Sequence, residues 1–364
     1  MVDYILIVME SLLLLRFSAG RLRPWNSFSA VVFLFCAVMA TNLPAQTFTS
    51  QVSFDGSDGA NPFAGLVQGI DGNLYGTTVY GGTNGYGTIF KVTPSGTLTT
   101  LYTFCSQSEC TDGSEPFVGL DLATNGDLFG TTRNGGIDGT YGPGTLFKTT
   151  PGGTLTTLHE FCSLSCSDGE SPLGVLVQAA NGDFFGTTYS LGENGQGGTI
   201  FKISPTGTLT TLYSFCAQSG CADGGGPVAG LLEAANGNFY GTTYYGGAYG
   251  LGTVFEITPS GALTTLHSFC SPDEACADGQ SPECSLIQAS DGDLYGTTNE
   301  GGAGGAGTVF KITPSGTLTT IFSFCITLGC MEGSSPATGL IQATDGNFYG
   351  DDAERRHQHG WEYL

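Results

Sequence analysis

Charge is scarce in this sequence. Asp, Glu, Lys and Arg together make up 12% of 364 residues, and only 10 of them are Lys or Arg against 32 acids. Globular proteins ordinarily reach about a quarter. A formal charge of -22 excludes nucleic-acid binding by phosphate neutralisation and docking on anionic lipid, so neither partner is expected. Helical periodicity is also missing: no window of the repeat described below carries apolar residues at a 3.6-residue period. No P-loop, HExxH or GxSxG is found. Gly302 to Gly307 matches the dinucleotide fingerprint as text, but it precedes a strand pattern rather than a helix, and the equivalent loops lack it.

Glycine and aromatics are abundant instead. Gly contributes 59 residues, Phe 24 and Tyr 15, with 40% hydrophobic residues overall. That is enough apolar matter for a real core and too much for disorder.

The N-terminus reads as an export signal. Arg21 and Arg23 form a positive region, Ala30 to Ala40 an apolar one, and small residues precede Gln46, which places cleavage after Ala45. The apolar run is well short of the ~20 residues of a membrane span, so no membrane segment is expected in the mature chain. Cys36 follows the bulky Phe35, which argues against lipidation. A second apolar run within residues 1–20 suggests an upstream over-extension from a start codon placed too early.

The motif Tyr75-Gly76-Thr77-Thr78 returns at Phe129, Phe185, Tyr240 and Tyr295, and a sixth copy begins at Tyr349-Gly350. The motif glycines are 54, 56, 55, 55 and 54 residues apart, a period that signals a solenoid, an array or a propeller. Within one period the patterns predict four strands: Gly65–Gln68, Asn73–Thr78, Thr88–Val92 and Thr97–Phe104. Asp71-Gly72 and Ser95-Gly96 supply the tight turns, because Gly accepts their positive φ. Four antiparallel strands per roughly 50 residues is the unit of a β-propeller blade. The fold expected is all-β, a propeller of about six four-stranded blades, with residues 46–350 as the repeat domain. Five repeats are complete. Gln46–Phe54 reads as a lone fourth strand, and Gly339–Gly350 supplies strands one and two of a last blade without its third.

The tail, residues 351–364, is foreign to the repeat. Back-translated and read one base later, it allows Thr-Thr, then Gly-Gly, then Gly-(Asn/Ser)-Thr, the continuation a sixth copy requires. The tail is therefore read as a possible frameshift product. Genomic reads with a clean in-frame tail and no alternative repeat would end that idea.

The recurring pattern Gly-Leu, Asp-Gly-Asn-Leu-Tyr-Gly-Thr-Thr, Gly-Gly, Gly-Thr-Val-Phe-Lys-Ile-Thr-Pro-Ser-Gly resembles the bacterial GloVer tandem repeat over residues 46–350. The resemblance implies a signal peptide and, in many relatives, a C-terminal surface anchor, which this chain does not recognisably carry. It implies no residue-level function.

Cysteines arrive as one close pair per repeat: Cys105/Cys110, Cys162/Cys166, Cys216/Cys221, Cys270/Cys276 and Cys325/Cys330. In an exported chain such pairs read as disulfides. Zinc is the alternative, but a four-Cys site needs two pairs together, and these sit on successive blades. Cys284 is left over, either buried or a free thiol. An acid-Gly-x-x-Pro motif follows each pair, with acids Asp112, Asp168, Asp223, Asp278 and Glu332, and Asp58 ahead of the first repeat. On the loop face these six acids are a candidate seat for Ca²⁺ or a cationic ligand, or else they only form turns before Gly. No other cofactor is expected.

His159 and His267 hold the place of Tyr102, Tyr213 and Phe322, which reads as an aromatic slot and not a base. Lys91, Lys148, Lys202 and Lys311 share one strand position with Glu256 and are expected to keep their heads in water. Nothing polar is seen to break the repeat's symmetry, which argues against an enzyme. The function expected is a secreted or cell-surface module, a monomer that binds carbohydrate or a surface partner, with Tyr80, Tyr86, Tyr244, Tyr245 and Tyr249 available to stack on sugars. A propeller-type polysaccharide hydrolase or lyase is the alternative, and a purely structural repeat is a third.

Overall fold

The computed structural model describes residues 50–163, 165–271, 275–327, 330–331, 333–336 and 338–350. The compact unit begins at Phe54. Its strands fall into successive antiparallel sheets in chain order. Blade one holds Val67–Gln68 (β1), Leu74–Thr78 (β2), Thr88–Val92 (β3) and Leu98–Thr103 (β4). Blade two holds Asp121–Leu122 (β5), Leu128–Thr132 (β6), Thr145–Thr149 (β7) and Leu155–Glu160 (β8). Blade three holds Val177–Gln178 (β9), Phe184–Thr188 (β10), Thr199–Ile203 (β11) and Leu209–Ser214 (β12). Blade four holds Leu232–Glu233 (β13), Phe239–Thr243 (β14), Thr253–Ile257 (β15) and Leu263–Ser268 (β16). Blade five holds Ile287–Gln288 (β17), Leu294–Thr298 (β18), Thr308–Ile312 (β19) and Leu318–Ser323 (β20). The sixth sheet has two strands, Ile341–Gln342 (β21) and Phe348–Tyr349 (β22).

The four strands expected within a repeat are present, the third with its expected bounds and the other three trimmed at their ends. Two features were not expected. Short 3-10 turns occur at Ser108–Cys110, Gly139–Tyr141 and Ser219–Cys221, and residues 50–54 form no strand, while Gln46 to Thr49 lie outside the described residues. Phe54 nevertheless packs edge-on against Phe90 at 4.9 Å.

The motif glycine of strand two has a steric reason. A Cβ on Gly76 would stand 2.7 Å from the ring of Phe90, its partner on strand three. The two threonines after it are buried. Thr78 and Thr88 face each other across the pair at 2.8 Å, and the Thr78 hydroxyl oxygen also accepts the Thr88 N–H. All five blades repeat this contact between hydroxyls, at 2.8–2.9 Å. Buried polar groups are tolerable because they are paired.

The core lies between blades. Each hydrophobic cluster joins residues of two consecutive sheets, as Phe104 with Phe147, Phe161 with Phe201, Phe215 with Phe255 and Phe269 with Phe310. Backbone bonds reinforce the same boundaries. Gly136, Gly192, Gly247 and Gly302 donate N–H groups to the carbonyls of Cys110, Cys166, Cys221 and Cys276 of the preceding blade at 2.8–2.9 Å, and Gly82 donates to Gly56.

Candidate functional site

The five cysteine pairs, Cys105–Cys110, Cys162–Cys166, Cys216–Cys221, Cys270–Cys276 and Cys325–Cys330, are bonded within their own loops, as the spacing predicts. All ten of these cysteines adopt positive φ, between 50° and 69°. Cys284 is buried outside the pairs, its Sγ 3.9 Å from the Pro336 carbonyl.

Cys330 departs from the uniform loop that the repeat predicts. In the first four loops the carbonyl of the second cysteine accepts an N–H from the Gly-Gly loop of the next blade. All five of these carbonyls also accept the glycine N–H of their own loop, Gly333 for Cys330 at 2.9 Å, but among the described residues no later blade donates to Cys330. The last described sheet has two strands and stops before the position of a Gly-Gly loop. Leu328, Gly329 and Glu332 beside Cys330 lie outside the described residues. Among the described residues the fifth cysteine loop therefore gives no carbonyl to a following blade.

The acids after the cysteines do not converge. Among the described residues no three of His, Cys, Asp and Glu are grouped to hold a metal. Each described carboxylate instead reaches back into its own loop. Asp112 Oδ2 accepts the Tyr102 hydroxyl at 2.7 Å and the Ser106 N–H at 2.9 Å, while Oδ1 accepts the Gln107 N–H at 3.3 Å. Asp223 does the same with Tyr213, Ala217 and Gln218. Both residues are fully buried. Asp168 and Asp278 meet His159 and His267 at 2.7 and 2.8 Å and accept the N–H groups of Cys162 and Cys270. Asp58 accepts the Asp55 N–H at 2.9 Å. Glu332, the sixth acid, is not among the described residues.

Each described acid thus makes its hydrogen bonds within its own loop. They are loop clamps. This also refines the aromatic slot: Tyr and His interchange there because both bring a hydrogen-bonding atom to the acid, whereas Phe322 has none. Burial comes first among the causes that push the Tyr102 phenol up to about 12, with the Asp112 contact adding to it. The strand-three lysine position also differs from expectation in one blade, where Lys311 pairs with Asp293 at 2.9 Å.

The residues that gather in one place come from two other repeat positions. The first strands crowd one another across blade boundaries: a Cβ on Gly119 would lie 3.3 Å from the Gly65 carbonyl, and one on Gly230 2.7 Å from that of Val175. The segment leading into each carries a residue in the left-handed region just before a proline: Asn61, Glu115, Ser171, Gly226, Ser281 and Ser335, at φ 50–64°. A following proline ordinarily pushes its neighbour to extended backbone, and left-handed non-glycine backbone costs about 1–3 kcal/mol where structure imposes it.

Here the fold over-determines it. The Glu115 N–H donates to Tyr86 of the preceding blade at 2.9 Å, and the Glu115 carbonyl accepts the Arg133 N–H at 3.0 Å. Ser171 and Gly226 hold Tyr189 and Tyr244 in the same way. The residues after proline and after Thr-Thr then wall a cavity of about 350 Å³ shared by blades two to five: Phe117, Leu173, Val228 and Glu283 from the first position, Arg133, Tyr189 and Tyr244 from the second, with Ser171 between. The Arg133 guanidinium stands 6.0 Å over the Phe117 ring centroid. A second cavity, about 630 Å³, lies beside the His267–Asp278 clamp, walled mainly by small residues and the clamp itself.

Of the tyrosines expected to stack on sugars, Tyr244 reaches the four-blade cavity. Tyr245 packs over Gly225 and Gly226, and burial raises its phenol pKa. Tyr80 and Tyr249 are 45% exposed outside that cavity. Sequence reasoning missed Arg133, Phe117, Tyr189 and Glu283. Their signal was variation inside a strict repeat: after invariant Thr-Thr the chain reads Val79, Arg133, Tyr189, Tyr244 and Asn299, and after the proline Phe63, Phe117, Leu173, Val228 and Glu283.

One more polar residue breaks the symmetry, contrary to expectation. Asp121 stands where the other first strands have Val67, Val177, Leu232, Ile287 and Ile341. Its Oδ2 is buried without a hydrogen-bond partner, and burial raises its pKa against the backbone N–H groups of Gln178 and Leu122.

A family model described as the Gloeobacter/Verrucomicrobia repeat matches residues 36–222 and again 137–361. No curated protein matches. Among solved structures, a candidate 6-phosphogluconolactonase from Bacteroides uniformis is similar with a TM-score of 0.52 at 18% identity, covering 86% of this chain and 87% of that one. The periplasmic gluconolactonase of Pseudomonas aeruginosa gives 0.43 at 19% identity, covering 73% and 72%. The likeness is one of fold: blades of a β-propeller. Among the described residues no helix is long and apolar enough to cross a membrane.

Proposed function

The chain belongs to the Gloeobacter/Verrucomicrobia repeat family, and we propose that it is an exported binding module whose four-blade cavity takes an acidic saccharide. The observation that carries this reading is the composition of the cavity. Arg133, the one arginine among the described residues, stands beside Phe117 and shares the cavity with Tyr189 and Tyr244. A guanidinium recognises a carboxylate bidentately, and partly exposed aromatic walls offer faces to sugar rings.

Export is supported by five disulfides, which persist in oxidising compartments. The signal segment itself lies outside the described residues. The hydrolase alternative draws on the similarity in fold to a candidate 6-phosphogluconolactonase. Against it, the cavity offers one carboxylate, Glu283, whereas glycosidic cleavage ordinarily uses two.

The test is calorimetric titration of the full chain with an oligogalacturonate and with a neutral glucan oligomer of equal length. The acidic oligomer binds, the neutral one binds more weakly, and Arg133→Ala lowers affinity for the acidic one by about tenfold or more. Equal binding of both oligomers, or an unaffected Arg133→Ala, refutes the reading. Release of reducing ends during the titration would favour the hydrolase.

A further inference from the structure

The four-blade cavity receives one side chain of each charge. Arg133 follows Thr131-Thr132, and Glu283 follows Pro282 on the way into blade five. In blade order they bracket the cavity, with Tyr189 of blade three and Tyr244 of blade four between them. Neither charge belongs to the repeat itself. The other described blades carry Val79, Tyr189, Tyr244 and Asn299 in the place of Arg133, and Phe63, Phe117, Leu173 and Val228 in the place of Glu283. Both departures fall in one cavity.

The two charges do not pair with each other. The ion pairs among the described residues are His159–Asp168, His267–Asp278 and Lys311–Asp293. The nearest acid in Arg133's own surroundings, Glu115, is held by the Asn134 amide, which donates to its carboxylate at 2.9 Å. Arg133 therefore lies exposed over the Phe117 ring, and Glu283 is half-buried with no side chain answering it among the described residues. The chain's charge of -22 bears on the ligand as well, because that field opposes the approach of a polyanion. A ligand whose carboxylate is balanced by its own ammonium has no net charge and escapes the repulsion.

Resting on the reading of this cavity as an acidic-saccharide site, we propose that the saccharide is dipolar and carries a free amine as well as its carboxylate. The Arg133 guanidinium donates to the ligand carboxylate, and the ligand ammonium donates to the Glu283 carboxylate. The tyrosines between them face the sugar rings. A cavity of about 350 Å³ is of small-ligand size.

The probes are a disaccharide of glucuronic acid and glucosamine and the same disaccharide N-acetylated, which keeps the carboxylate and loses the ammonium. Each is titrated calorimetrically into the full chain at about pH 6, below the ordinary range of a primary amine. The free-amine disaccharide binds about tenfold more tightly. Glu283→Gln removes that preference, and so does Glu283→Val, which installs the residue that blade four carries at this position. Arg133→Ala weakens both ligands. Equal or tighter binding of the N-acetylated form, with Arg133→Ala still weakening it, overturns the dipolar ligand and leaves the acidic-saccharide reading standing. A preference that survives both Glu283 variants also overturns it, because the acetyl group would then be excluded by size alone. Binding of neither disaccharide, or binding of both without dependence on Arg133, defeats the underlying reading and this proposal together. Diglycine, a dipolar ligand without a ring, binds more weakly than the free-amine disaccharide; equal binding would assign the cavity to peptide termini and overturn the proposal.

Discussion

Replacing Asp121 by valine should stabilise this protein at neutral pH. In the other sheets the same position is Val, Leu or Ile, and in blades one, three, four and five that side chain packs toward the following blade. The Asp121 carboxylate has one buried oxygen with no partner. An unsatisfied buried polar group costs about 1–3 kcal/mol, and the valine adds apolar burial worth about 0.8 kcal/mol per methyl-sized group. The expected gain is about 2 kcal/mol, or about 4 °C in Tm at this chain size.

The effect depends on pH with a defined sign. The folded-state pKa of Asp121 is raised above the unfolded value of 3.8. The wild type therefore loses stability from this residue as pH rises from about 4 through the folded pKa, and the penalty is absent below. The turn carboxylates act oppositely. The Ser57 hydroxyl lowers Asp55, the Tyr75 hydroxyl lowers Asp71, and the Tyr295 hydroxyl lowers Asp291, so their contributions vanish as pH falls. Both proteins therefore weaken in acid, while the difference between them narrows. Differential scanning fluorimetry of wild type and Asp121→Val at pH 7 and pH 4 reads both effects. A variant less stable at pH 7 would show that the carboxylate is satisfied in the working protein and would refute the reasoning.

Three further outcomes are expected. Asp223→Ala leaves the Tyr213 hydroxyl and the N–H groups of Ala217 and Gln218 without their acceptor, and should lower stability by about 3 kcal/mol, read as a drop in Tm. His159→Tyr restores the donor that Tyr102 and Tyr213 supply in their blades and should change Tm by less than half as much as His159→Phe, which loses about 2 kcal/mol. Replacing Cys216 and Cys221 together by serine opens a loop with a sequence separation of 5 and should cost about 2 kcal/mol on the chain-entropy account, with wild type under reducing conditions losing more because five loops open.

The strands were legible because glycine and Asp-Gly turns punctuate the repeat, and Thr, Phe and Tyr carry the pleated surfaces between them. Thr88–Val92 is found with its expected bounds. The cysteine pairing was legible from one close pair per repeat in a chain read as exported. The role of the acids was not, because a side chain that reaches backward to strand four leaves no local signature: Asp112 and Tyr102 are ten residues apart and meet only when the Cys loop folds back. The four-blade cavity was hidden for a different reason. Its walls come from single positions in separate repeats, which look like tolerated noise when each repeat is read on its own. Asp121 escaped notice because its strand is two residues long, too short for an alternation to show that an apolar side chain belonged there.

The boundary between blades is one-sided. Blades one to four each hand their final Phe and a cysteine-loop carbonyl forward, and blades two to five receive both from behind; Phe54 and Gly56 make the same gift to blade one. The array thus has a direction, and it runs with the order of synthesis. A newly made blade therefore has the surface it packs on already upstream of it in the chain. Damage follows the same arrow: a lesion in a Cys loop loosens its own blade and the one after it, while the blade before keeps its contacts.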